Sequence, residues 1–307
     1  MSRFKKFLIP FSILFASKVF GNLYEIGRSE IVNGALNRVQ EKRLYSFLKA
    51  FSSYETRYHT SLTGIKSAHD LKEYWKQITR ARSDISVKLI RHKSTPQPSI
   101  MVHIAGENDS RIILGGHIDS INDSNPSPLA KAPGAGDNAA GIAVLTETLK
   151  VLIGLNYKPK NSITLYGYAA EEVGLLGSEA ISRELSNTSL KVLGVIQLDG
   201  VNYNKWGKDI VLISDYTNYF QNRFIGQLID RYLGVAWGYD RCGYPCSDHY
   251  SWWEKGHPVS FPFESELRYE NPKIHSEQDT VENMGNNANH AVLFAKLALA
   301  YIIEMDR

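Results

Sequence analysis

Three apolar runs that each end in acidic or imidazole side chains constrain this chain more than any other feature. Residues 112–114, Ile-Ile-Leu, lead through Gly115 and Gly116 into His117, Ile118 and Asp119. Residues 161–170 read as a buried strand ending at Glu171 and Glu172, and residues 191–198 as another ending at Asp199. Short apolar runs rich in β-branched and aromatic residues and bounded by turn formers are strand signals. Between them lies a strong helical pattern over 142–152. Strands alternating with helices predict an α/β fold with a mixed, mainly parallel central β-sheet sandwiched between helices. In open α/β sheets ligands bind outside the carboxyl ends of the strands, where these polar residues fall.

Each polar group has an ordinary reading beside a chemical one. His117 and Asp119 stand two apart on a strand and share a face. They read as a metal ligand with a carboxylate that fixes its tautomer, or as a hydrogen-bonded surface pair. The loop 120–136 carries Pro126, Pro128 and Pro133. It is long for a structureless connection, and such loops tend to line sites. It delivers Asp137 to the entrance of the 142–152 helix, where an acid is ordinarily a cap.

The remaining periodicity predicts helices over 35–51, 71–78, 219–233 and 288–304, and a short one from Ser247. It predicts strands over 85–90, 99–105, 210–213 and 258–263. Neither repeats nor low-complexity tracts interrupt the chain, which reads as one domain over 22–307, with 22–34 open to assignment as a short pro-segment. Residues 1–21 stand apart. Arg3, Lys5 and Lys6 precede the apolar run 7–16, and Val19 and Gly21 offer a cleavage site before Asn22. That is the pattern of a secretory signal peptide, too short to span a bilayer. The formal charge of +3 falls to about −1 without this leader, which holds four basic residues and no acid. Nucleic acid is therefore excluded as a partner, and so is a membrane once the leader is removed. The 2 cysteines, Cys242 and Cys246, are too few for a zinc site; in an exported protein they read as a disulfide closing a small loop.

Collected, His117, Asp137, Glu172, Asp199 and His275 are two imidazoles and three carboxylates. With one carboxylate bridging, such a set suits two zinc ions about 3.5–4 Å apart. Glu171 is an adjacent carboxylate able to take a proton from a shared water. Neighbouring strand residues face opposite ways, so both glutamates reach one site only if the chain bends there, which Gly174 permits. Ser247-Asp248-His249 looks like a hydrolytic triad, but adjacent residues do not face one another, and Ser247 reads as a helix N-cap. His59, His69, His92 and His257 read as surface residues, and Trp252 and Trp253 as core and pocket wall.

Six motifs fall in order: Gly-Gly-His117-Ile-Asp119-Ser, Gly-Ala-Gly-Asp137-Asn, Ala-Ala-Glu171-Glu172-Val-Gly-Leu, Gln-Leu-Asp199, Cys242-Gly-Tyr-Pro-Cys246-Ser-Asp-His and Asn271-Pro-Lys-Ile-His275-Ser-Glu-Gln-Asp279-Thr. They closely resemble the secreted double-zinc leucyl aminopeptidases of bacteria, over a span from about residue 51 to the C-terminal helix. The resemblance implies that His117 and Asp199 hold one zinc, Glu172 and His275 the other, and that Asp137 bridges them. It makes Glu171 the general base, lets Asp119 orient His117, and implies a cis peptide between Asp137 and Asn138. It also implies a pocket for the substrate's first side chain from Tyr244, Phe261, Phe263, Leu267, Glu270 and Ile274. Leu267 and Glu270 replace aromatics that leucine-preferring members tend to carry, so apolar first residues (Leu, Met, Phe) and basic ones (Lys, Arg) are both expected. The implied protein is a secreted monomer, extracellular or periplasmic, that trims peptide N-termini. A glutaminyl cyclase would use one zinc, a carboxypeptidase would need a cation for the substrate carboxylate, and a receptor-like binding domain would have lost ligands. The complete ligand set favours the aminopeptidase.

Overall fold

A computed structural model describes residues 23–307. The expected signal peptide over 1–21 lies outside the described residues. Eight strands form one sheet: β1 (Ile85–Ile90), β2 (Ser99–Ile104), β3 (Asn108–His117), β4 (Asn161–Tyr168), β5 (Val192–Gln197), β6 (Ile210–Ile213), β7 (Trp237–Asp240) and β8 (Val259–Phe263). Their order is β1-β2-β4-β3-β5-β8-β6-β7. The central strands β4, β3, β5 and β8 are mutually parallel, and β1, β2 and β6 add antiparallel pairings at the flanks. The sheet is mixed and mainly parallel, as its apolar runs predict.

Both faces are covered, which is why every residue of β4 and β5 is buried rather than every second one. On one face pack α1 (Ser29–Leu36), α2 (Glu41–Phe51), α3 (Leu62–Thr79), α4 (Ala140–Gly154), α6 (Tyr219–Leu228) and α8 (Ala291–Met305). On the other, α5 (Leu176–Ser186) and α7 (His249–Glu254) cover Ile113, Tyr166, Val195 and Val259 with Ile181 and Trp252. Successive residues of β3 divide accordingly: Ile112 and Leu114 face the larger core and Ile113 the smaller.

Several boundaries differ from the expected ones for local reasons. The helix read over 35–51 is two helices, because the chain leaves helical geometry before Gln40, whose φ of −126° opens α2. The helix read over 71–78 begins nine residues earlier, where Ser61 caps it by accepting the Gly64 N–H at 2.8 Å. Residues 29–36 form α1, with Val32, Ala35 and Leu36 buried in the main core. The Glu304 carboxylate of α8 accepts the Gly27 and Arg28 backbone N–H groups at 2.9 and 3.0 Å. His59, His92 and His257, expected at the surface, are half-buried and bonded to Thr95, Ser99 and Ser186. Among the described residues no helix is long and apolar enough to cross a membrane.

Candidate metal centre

The parallel order β4-β3-β5-β8 sets four strand ends side by side, and each delivers part of the site. β4 leads to Glu171 and Glu172, β3 to His117 and Asp119, β5 to Asp199, and β8 carries Phe261 and Phe263. Tight approaches hold the layout. A Cβ on Gly141 would meet the Leu198 carbonyl oxygen and the Asn138 Oδ1 at 2.3 Å each, so the start of α4 can lie against the end of β5 only with glycine there.

Two triads share one carboxylate. His117 Nε2 lies 2.8 Å from Asp137 Oδ1 and 3.3 Å from Asp199 Oδ1. His275 Nε2 lies 2.9 Å from Asp137 Oδ2 and 3.2 Å from Glu172 Oε2. Within each triad the potential ligand atoms fall within 4.8 Å of one another. Asp137 therefore turns one oxygen to each half of the site. The peptide between Asp137 and Asn138 is cis. Asn138, given no role from the sequence, donates to the Leu198 carbonyl at 2.8 Å and accepts the Gly141 N–H at 2.9 Å.

The donor set fits metal. Both ring nitrogens of His117 and Glu172 Oε1 are buried with no hydrogen-bond partner, an arrangement that is costly unless a cation meets them. Electrostatics agree: burial disfavours a protonated His117, yet Asp199 and Glu171 outweigh it and hold the imidazole's pKa well above its usual value. Burial, reinforced by Asp137 and opposed by His275, pushes Glu172 up to about 8. Burial also drives Glu171 well above the carboxylate range. Buried acids crowded around imidazoles are where cations bind most favourably. Zinc, with its N and O ligands, matches this chemistry.

A second layer aims the ligands. Asp119 faces His117 Nδ1 at 3.5 Å and accepts the backbone N–H groups of Glu171 and Glu172 at 3.0 and 3.2 Å. The bend that brings both glutamates into the site starts before them, at Ala170 (φ +56°), with Gly174 (φ +109°) beyond; the sequence pointed only to the glycine. Ser247 is not the helix cap expected of it. Asp248 precedes α7, while Ser247 Oγ donates to Asp199 Oδ2 at 2.7 Å and accepts from Gln197 Nε2 at 3.0 Å.

Sequence reasoning missed three supports. Asp123 meets His275 Nδ1 at 3.0 Å and donates its N–H to the His275 carbonyl at 3.0 Å, holding a residue whose φ is +53°. Asp279 accepts the Gly136 and Asp137 N–H groups at 3.0 and 2.9 Å. Arg57, fully buried, donates to the carbonyls of Ile118, Pro133 and Gly134 and so ties loop 120–136 to β3. Asp279 stands within a quoted motif, four residues beyond His275, but nothing local marks Asp123 or Arg57.

The site opens into a cleft of about 350 Å³ that reaches Glu171, Tyr244, Phe261, Phe263, Leu267, Glu270 and Ile274. All six residues expected at a side-chain pocket thus line one cavity with Asp137, Glu172, Asp199 and His275. The Cys242–Cys246 disulfide is present, at an S–S distance of 2.02 Å, and closes the loop bearing Tyr244. Trp252 is buried, whereas Trp253 is 44% exposed and no part of the cleft wall.

Residues 99–300 match the sequence pattern of peptidase family M28. A probable aminopeptidase of Saccharomyces cerevisiae is 33% identical over 291 residues, covering 92% of this chain and 77% of the yeast protein. Leucine aminopeptidase 1 of Leptosphaeria maculans is 32% identical over 291 residues, covering 90% and 74%. The crystal structure of Legionella pneumophila LapA aminopeptidase superposes with a TM-score of 0.88 at 32% identity, covering 98% of this chain and 80% of that one. The resemblance drawn to bacterial enzymes thus extends to fungal proteins.

Proposed function

The chain belongs to peptidase family M28 and is an aminopeptidase, and we propose that it works as a secreted two-zinc enzyme with Glu171 as general base. The carrying observation is the pair of ligand triads sharing Asp137. His117 and Asp199 would hold one zinc, Glu172 and His275 the other, and Asp137 both. Zinc bound there would supply Lewis acidity and lower the pKa of a water at the site.

The chain's own residues account for the remaining steps. Glu171 sits in the cleft beside the ligand set and accepts the proton of the attacking water at its carboxylate. It then delivers that proton to the nitrogen of the leaving peptide. Burial, joined by Asp248, Glu172 and Asp199 and opposed by His117, raises its proton affinity, as suits a group that carries a proton from water to leaving group. Asp119 keeps Glu171 and Glu172 in place through their backbone N–H groups. The free α-amino group of a substrate docks among the same carboxylates, which confines cleavage to the first residue. Phe261, Phe263 and Ile274 give that residue an apolar wall suited to Leu, Met or Phe, and Glu270 adds a carboxylate for Lys or Arg. The leader at 1–21 and the disulfide support export.

The experiment pairs elemental analysis with hydrolysis of aminoacyl substrates that carry free or acetylated amino groups. The expected result is two zincs per chain, chelator-sensitive activity, and cleavage of free-amine substrates alone. Full activity with one tightly bound metal sinks the two-metal mechanism. Equal cleavage of acetylated substrates sinks the aminopeptidase reading.

A further inference from the structure

The cleft holds six carboxylates, of Asp137, Glu171, Glu172, Asp199, Glu264 and Glu270. Five are accounted for. Asp137, Glu172 and Asp199 belong to the ligand triads, and Glu171 is the proposed base. Glu264 is buried and accepts the backbone N–H groups of Asn202 and Tyr203 at 2.8 and 2.6 Å. Glu270 alone has no task.

Nor does Glu270 have a partner: among the described residues no hydrogen bond or ion pair reaches its carboxylate. The two cations nearest in sequence do not serve it. The guanidinium of Arg268 lies over the Tyr269 ring, 4.6 Å from its centroid, and Lys273 forms no ion pair among the described residues. The residue is half-buried, and burial raises the pKa of its carboxyl, as does Asp137, while His275 opposes.

Its backbone is held from both sides. The short helical turn Leu267–Tyr269 precedes it, with the Leu267 N–H bound to Asp240 Oδ2 at 3.0 Å. The next residue, Asn271, is buried and donates to Asp279 Oδ1 at 2.9 Å. Asp279 in turn holds the backbone of Asp137. The backbone that carries this carboxylate is therefore fixed relative to the ligand triads, beside Tyr244, Phe261, Phe263, Leu267 and Ile274 in the cleft wall.

An unpaired carboxylate in a largely apolar wall is unfavourable unless a cation comes to it. A long basic side chain matches the whole surface, with methylenes lying on the aromatic rings and the charge at the far end. An aliphatic side chain fills the same wall and leaves the acid unpaired. We propose that Glu270 makes this cleft select a basic first residue, Lys or Arg, over aliphatic residues of the same length. This specificity rests on the aminopeptidase reading above.

The test measures kcat/KM of the zinc-loaded enzyme for Lys, Arg, norleucine and Leu aminoacyl substrates in wild type, Glu270→Gln and Glu270→Asp. Norleucine has the Lys stem without its charge, so the Lys-to-norleucine ratio isolates the carboxylate. The expected wild-type ratio is at least tenfold in favour of Lys. It falls by tenfold or more in Glu270→Gln, about 1.4 kcal/mol of discrimination, and is partly kept in Glu270→Asp. Calorimetric titration with free L-lysine and L-norleucine should show the same order without turnover. A ratio near one in wild type, or one unchanged by Glu270→Gln while the enzyme remains active, overturns the proposal and leaves the aminopeptidase reading standing. A wild-type enzyme inactive on every free-amine substrate overturns both.

Discussion

Asp119 Oδ1 accepts the backbone N–H of Glu171 at 3.0 Å, so the carboxylate that faces the His117 ring also fixes the main chain of the proposed base. One side chain at the end of β3 thereby couples a ligand on its own strand to two acids that follow β4. Removing it should disturb both. Asp119→Ala is expected to weaken metal binding by about 10–100-fold, the usual cost of losing an outer partner of a ligating histidine. Activity at saturating zinc should stay reduced, because the bend at Glu171 and Glu172 loses its anchor. Metal titration followed by assays at excess zinc separates the two effects. Full recovery of activity by added zinc would limit Asp119 to the histidine alone.

Glu171 and Asp137 should fail in different ways. Glu171→Ala removes the proposed base and none of the proposed ligands, so kcat is expected to drop by about 10²–10⁴-fold with metal content intact. Asp137→Ala removes the one carboxylate common to both triads, so metal content should drop as well. Zinc analysis of the two purified variants checks this, and indistinguishable metal contents would refute the division of roles.

Glu304 ties the first described segment to the last helix. It is buried, and it accepts from the Gly27 and Arg28 N–H groups, from Tyr232 and from Arg307. Burial raises its pKa, but these donors outweigh burial and hold it below the ordinary carboxylate value. A carboxyl depressed by folding stabilises above its unfolded pKa, and that contribution disappears as pH falls through the folded value. Glu304→Gln should therefore cost about 1–3 kcal/mol near pH 7, and the difference from wild type should shrink as pH drops below the carboxylate range. Denaturant titrations at neutral and acid pH measure it. The same contacts predict that cutting the chain after residue 34, as a pro-segment would require, destabilises the fold, because it strips most of α1 from the core.

The sequence by itself determined the class of fold and picked out the candidate ligands. β3, β4 and β5 carry continuous, mostly apolar runs where both faces are buried, and a parallel sheet makes their carboxyl ends converge. His117, Glu171, Glu172 and Asp199 could thus be placed by strand logic, while Asp137 and His275, which lie outside the strands, joined the set by residue type and took their roles from the resemblance. Only the tertiary structure assigned Asp123, Asp279, Arg57 and Ser247 their tasks. Each acts across a long sequence separation, Asp123 on His275 and Arg57 on Pro133 and Gly134, and no local pattern records which distant partner a polar side chain meets. The same is true of Glu270. Arg268 and Lys273 stand close to it in sequence, yet the packing around the cleft pairs it with neither, because chain folding and not residue order decides which charges become neighbours.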